Sequence, residues 1–95
     1  MKKIDKFEKI VDVKTLPEKI DEGVLYISNQ FGVSCHLCPC GCGTEINIPL
    51  RPTWHHGWNT LREYDKVTFS PSLLNTSCPN KAHYFIVKNE IHWCK

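Results

Sequence analysis

Nine residues, Cys35-His36-Leu37-Cys38-Pro39-Cys40-Gly41-Cys42-Gly43, hold four of the six cysteines of this 95-residue chain and one of its histidines. Thiols this crowded have two common uses, disulfides and metal ligation. Neighbours two apart, such as Cys38/Cys40 and Cys40/Cys42, are poor disulfide partners, so any bridges would be longer range. Glycine after Cys40 and after Cys42 lets the backbone turn tightly behind each sulfur and aim peptide N–H groups at it. A second segment, Cys78-Pro79-Asn80-Lys81-Ala82-His83, adds a thiol and an imidazole. Two segments offering soft and borderline donors predict a structural zinc site.

The start of the chain bears on the same choice. It is basic, but Asp5, Lys6, Glu8 and Lys9 interrupt any apolar signal core. The expected setting is therefore cytoplasmic, where thiols stay reduced and metal is favoured over disulfide. No apolar run approaches the ~18 residues of a membrane span. Twelve Lys and Arg against ten Asp and Glu leave a net charge of +2, too little to imply nucleic acid on its own.

The predicted ligands are Cys38, Cys40, Cys42, Cys78 and His83, around one zinc ion, with one knuckle cysteine standing just outside the coordination sphere. His36 is the leading substitute and Cys94 the next; two ions would draw on all eight nearby side chains, Cys35 included. The period-2 rule places His36 and Cys38 on one strand face and Cys35 with Leu37 on the other. That makes Cys35 a buried apolar residue rather than a ligand.

The fold expected around this site is mainly β, a small α+β domain of zinc-stapled antiparallel hairpins resembling a zinc ribbon. One domain spans 1–95, with 1–22 an N-terminal helix or arm and 23–95 the zinc-bound β core. Ile4, Phe7, Ile10 and Val11 recur at three- and four-residue spacings that suit a short amphipathic helix, although Val11 and Val13 also suit a strand. Strands are predicted at Val24–Ser28, Val33–Leu37, Thr44–Leu50, Lys66–Phe69, His83–Val87 and Ile91–Cys94, and Leu73–Ser77 reads as a loop. An Asn89-Glu90 turn would put glutamate at positive φ, so that turn is expected to be longer or of another type.

Between the strands, Trp54, His55, His56 and Trp58 share one loop flanked by Arg51 and Arg62. Tryptophan and arginine are enriched at interface hot spots, and aromatic rings also stack nucleobases. A protein partner bound through this loop is the first functional expectation, an adaptor module, and nucleic acid the alternative. An enzyme using His36 with an open zinc position, or a free knuckle thiol, fits less well. The ligands are over-supplied for an open site, and no carboxylate beyond Glu45 lies near the knuckle.

The residues His36 to Gly43, Pro49-Leu50, Ser70-Pro71-Ser72, Cys78 with His83-Tyr84-Phe85-Ile86, and Trp93-Cys94 resemble the pattern of an uncharacterised family of small bacterial and phage proteins. The likeness covers roughly residues 24–95. It implies a metal-binding domain, and since some members are encoded beside ubiquitin-like conjugation genes, an accessory role in such a system. It implies no particular activity.

Overall fold

A computed structural model describes residues 3–94, and these form nine strands and no helix. They are β1 (Lys9–Asp12), β2 (Val24–Ser28), β3 (Val33–Leu37), β4 (Glu45–Pro49), β5 (Asn59–Glu63), β6 (Lys66–Ser70), β7 (Leu73–Asn75), β8 (Ala82–Val87) and β9 (Glu90–Trp93). β1 to β4 make one sheet in that order, β5 and β6 a hairpin, and β7 to β9 a second sheet in sequence order. The mainly β expectation is met.

The short N-terminal helix is a correction. Residues 9–12 run parallel to β2, with Ile10 opposite Leu25 and Val11 opposite Tyr26. Their spacing mimics a helix, but β-branched Ile10, Val11 and Val13 suit a pleated surface, and the neighbouring strand supplies the pairing. The preceding residues are tied elsewhere: Ile4 N donates to Pro39 O (2.8 Å), Phe7 N to Asn89 O (2.8 Å) and Ile91 N to Asp5 O (2.6 Å). A helix would have kept those donors and acceptors for itself.

The β2–β3–β4 meander separates two apolar clusters. Alternation sends Leu25, Ile27, Cys38 and Ile48 into the main core with Phe7, Val67, Phe69, Tyr84 and Ile86. Val24, Tyr26 and Cys35 go the other way, onto Ile20 and the partly buried Leu16. Each fully buried Leu, Ile or Phe contributes about 1.5–3 kcal/mol. Cys38 belongs to the main cluster, so the knuckle at the tip of the β3–β4 hairpin grows out of the core. Cys38 N donates to Thr44 O (2.8 Å) and closes that tip.

The last hairpin departs from the expected turn. Val87 pairs with Glu90, so Lys88 and Asn89 are the two turn residues, at φ of +48° and +68°. Both being left-handed is the geometry that matches strand twist in a two-residue hairpin. Asn89 tolerates it and anchors the turn: its Oδ1 accepts from Val67 N (2.8 Å) and its Nδ2 donates to Asp65 O (2.9 Å). Glutamate is spared the strained position because it begins β9.

Candidate metal centre and candidate active site

The Sγ atoms of Cys38, Cys40, Cys42 and Cys78 all lie within 4.8 Å of one another. Cys40 Sγ stands 3.4 Å from Cys38 Sγ and 2.9 Å from Cys78 Sγ, and all six cysteines are free thiols. Four thiolates at ~2.3 Å from a tetrahedral ion have edges of about 3.8 Å. All the separations fall within 4.8 Å, close enough for the group to hold a metal ion. Gly41 and Gly43 take φ of +89° and +84°, the left-handed turns that bring three thiols of five consecutive residues to one point.

The electrostatics of the bare thiols fit a cation. Burial, and then hydrogen bonding to Cys78, Cys42 and Cys38, pushes the Cys40 thiol up to about 12. Cys42, exposed at the rim, is pushed down to about 6, chiefly by its hydrogen bond with the Thr44 hydroxyl (3.1 Å). Crowded thiols resist ionising together, and a dication removes that resistance.

The other sequence candidates are elsewhere. His36 is fully buried, its Nε2 2.8 Å from the Tyr84 hydroxyl and its ring edge-on to Phe7 at 5.1 Å. Burial holds its pKa down to about 3, so the imidazole is neutral, and its Nδ1 has no hydrogen-bond partner among the described residues. Cys35 lies in the second cluster, its thiol pushed up to about 12 by burial and then by Glu45. Cys94 follows β9, its N–H bonded to His83 O (2.9 Å). His55 and His56 sit edge to face, 4.8 Å apart, on the exposed loop.

His83 stands outside the four-thiol group and has a different neighbour. Its Nε2 is 2.9 Å from Ser72 Oγ, on the outer face of the β7–β8–β9 sheet. Leu74 pairs with His83 across β7 and β8, so Ser72, two residues earlier, is the diagonal neighbour on the same face. Buried Ala82, Tyr84 and Ile86 alternate with exposed His83 and Phe85 along β8, which sends the imidazole to solvent. Trp58 Nε1 donates to Ser72 O (3.2 Å) and fixes the residue from behind. Among the described residues no carboxylate bonds His83, so this is a pair rather than a triad.

The sequence alone does not mark Ser72 as reactive. The available signal was Ser70-Pro71-Ser72 closing one strand, eleven positions before a histidine (83 minus 72) whose strand alternation turns it outward. The pairing follows only because Leu73–Asn75 is a strand and not the expected loop.

The two tryptophans of the loop separate. Trp58 packs on the main core, whereas Trp54 is 50% exposed, its Nε1 donating to Phe31 O (3.3 Å). Phe31, 49% exposed, joins Trp54, Val33, Pro49 and His56 around an apolar hollow of about 510 Å³. No helix among the described residues is long and apolar enough to cross a membrane.

Compared with known families, residues 12–94 match BubE, described as the serine protease of a bacterial ubiquitination-like system, and the chain belongs to that family. No curated protein and no solved structure matches it.

Proposed function

We propose that the chain is a serine protease of a bacterial ubiquitination-like system, with Ser72 as nucleophile, His83 as general base and a structural zinc ion on Cys38, Cys40, Cys42 and Cys78. The observation that carries this is the 2.9 Å contact between Ser72 Oγ and His83 Nε2 on an open sheet face, in a chain whose family is described by that activity. With the proton of the neutral imidazole on Nδ1, Nε2 takes the Ser72 proton as Oγ attacks the scissile carbonyl carbon. The tetrahedral adduct collapses, the C–N bond breaks and the same proton passes to the leaving amine. Water then attacks the acyl ester, gives a proton to Nε2, and Ser72 is released with its hydroxyl restored. The substrate class that follows is an amide at the C-terminus of the system's ubiquitin-like protein.

Cys38, Cys40, Cys42 and Cys78 would hold the zinc ion, and with four thiolate ligands it would serve as a staple and supply no nucleophile. The staple bears on the active face through Cys78. Lys81 N donates to Cys78 O (2.9 Å), and β8 begins at the next residue and carries His83. Reduced thiols of this kind suit a cytoplasmic setting.

A fluorophosphonate probe tests the reading without a known substrate. Wild type should take one label, located on Ser72, and Ser72→Ala none. His83→Ala should lose labelling while keeping its metal. Loss of the metal in that variant would make His83 a ligand and end its role as base.

A second role, docking of a protein partner, is favoured by the half-exposed Trp54 and Phe31 over their apolar hollow. The adaptor surface is then Trp54 and His56, with Trp58 reassigned to the core. Trp54→Ala should weaken capture of the ubiquitin-like protein by Ser72→Ala enzyme without altering labelling of the wild-type background.

A further inference from the structure

Asn75, the last residue of β7, is only 7% exposed, and its Nδ2 has no hydrogen-bond partner among the described residues. A buried amide donor without a partner is costly and calls for an explanation. Its orientation is fixed. Oδ1 accepts from Ser77 N (3.1 Å), so Nδ2 is the atom turned the other way. β7 alternates buried Leu73, exposed Leu74 and buried Asn75, which sends the amide inward. There it faces the Cys38 thiol. Burial pushes that thiol up, and the Asn75 side chain is the largest of the groups that pull it back, ahead of the Cys40 backbone.

A neutral thiol is a weak acceptor, whereas a metal-bound thiolate is negative and accepts a hydrogen bond readily. Four thiolates around a dication carry an excess of negative charge. Cys42, at the exposed rim, shares its part with water, but Cys38, 3% exposed, has none to share it with. The orphaned donor therefore stands where the filled site needs one. β7 is three residues long and Ser72 immediately precedes it, so whatever holds Asn75 also holds the strand that carries the nucleophile.

We propose that Asn75 is a positioning residue for Ser72: its amide donates to the Cys38 sulfur when the four thiols hold an ion, and the contact ties β7 to the metal centre. The proposal rests on the metal reading for the acceptor and on the serine-protease reading for the residue positioned.

The test compares wild type, Asn75→Asp and Asn75→Leu, each loaded with zinc or with cobalt(II). Aspartate keeps an acceptor for Ser77 N–H and loses the donor, while leucine loses both at similar volume. The measurements are made at about pH 8, where a carboxyl is ordinarily ionised. Both variants should lose zinc to a chromogenic chelator roughly 10–100-fold more readily than wild type. In both, the sulfur-to-cobalt charge-transfer band should move to lower energy, because a hydrogen bond to sulfur lowers the energy of its lone pairs. Fluorophosphonate labelling of Ser72 at saturating metal should slow by roughly tenfold or more. If Asn75→Asp keeps wild-type metal retention and band position while Asn75→Leu does not, Asn75 serves the Ser77 turn and the proposal is wrong. Wild-type behaviour in both variants overturns it equally. A shifted band with Ser72 labelled at the wild-type rate also overturns it, since the thiolate contact then has no bearing on the active face. The two readings beneath it fail differently. A wild type that is labelled on Ser72 but develops no cobalt band ends the metal centre and leaves the protease. One that develops the band and takes no label ends the protease and leaves the metal centre, and either result removes the role of Asn75.

Discussion

The knuckle and the Ser72–His83 face differ in almost every respect that decides how a region is built. Three of the four clustered thiols come from five consecutive residues, and the fourth, Cys78, is buried with Cys38 against the main core. Ser72 and His83 are on neighbouring strands, meet diagonally and point outward. In the reading proposed above, the first region serves stability and the second serves the reaction. A small chain divides labour in this way because groups that must meet a substrate cannot also be sealed in the core.

Removing the metal should break that division most severely. Chelation, or Cys78→Ala, should remove several kcal/mol of a total that is itself only about 5–15 kcal/mol, abolishing the cooperative thermal transition. An apo protein with an unshifted midpoint would mean the thiols are not the staple. Next comes Ser72→Ala, which should lower hydrolysis by roughly 10³–10⁶-fold while the midpoint moves by less than about 0.5 kcal/mol. A large stability loss there would join the two regions that are held here to be separate.

The tryptophans offer a finer cut. Trp58→Ala should cost about 2–4 kcal/mol, a little under the full core value because the ring is half-buried, and should lower activity by freeing the Ser72 carbonyl. Denaturant midpoints and single-turnover rates measure the two parts. Trp54→Ala should cost less than about 1 kcal/mol, since half of the residue already faces water. If Trp54 proves as costly as Trp58, the apolar hollow is part of the core and no docking face.

Sequence reading went furthest where the signal was local. Val24–Ser28 and Val33–Leu37 are strands with the expected bounds, and the turn of Cys35 into the second cluster, away from His36 and Cys38, follows from alternation alone. The clustering of Cys78 with the knuckle was readable because few residue types bind metal. β5 left no trace, all five residues being exposed, with no apolar alternation to reveal it. β1 was disguised by a helical spacing, and β7 by its length of three residues. The Ser72–His83 contact depends on β7, and serine and histidine are common surface residues, so the faint signal of Ser70-Pro71-Ser72 ahead of an outward-facing histidine does not mark them as a pair.

The segment before β1 has a consequence for how the molecule is made. Asp5, Phe7 and Lys6 bond or bridge to Ile91, Asn89 and Glu90, and Phe7 is buried in the main core. On the ribosome these early residues emerge long before their partners. The nascent chain must carry Phe7 exposed until the final hairpin arrives. Contacts so distant in sequence slow folding, and an apolar ring exposed in the interval invites association with other chains. An ion held by all four thiols would need Cys78 as well as the Cys38–Cys42 turn, so its loading would fall late in synthesis.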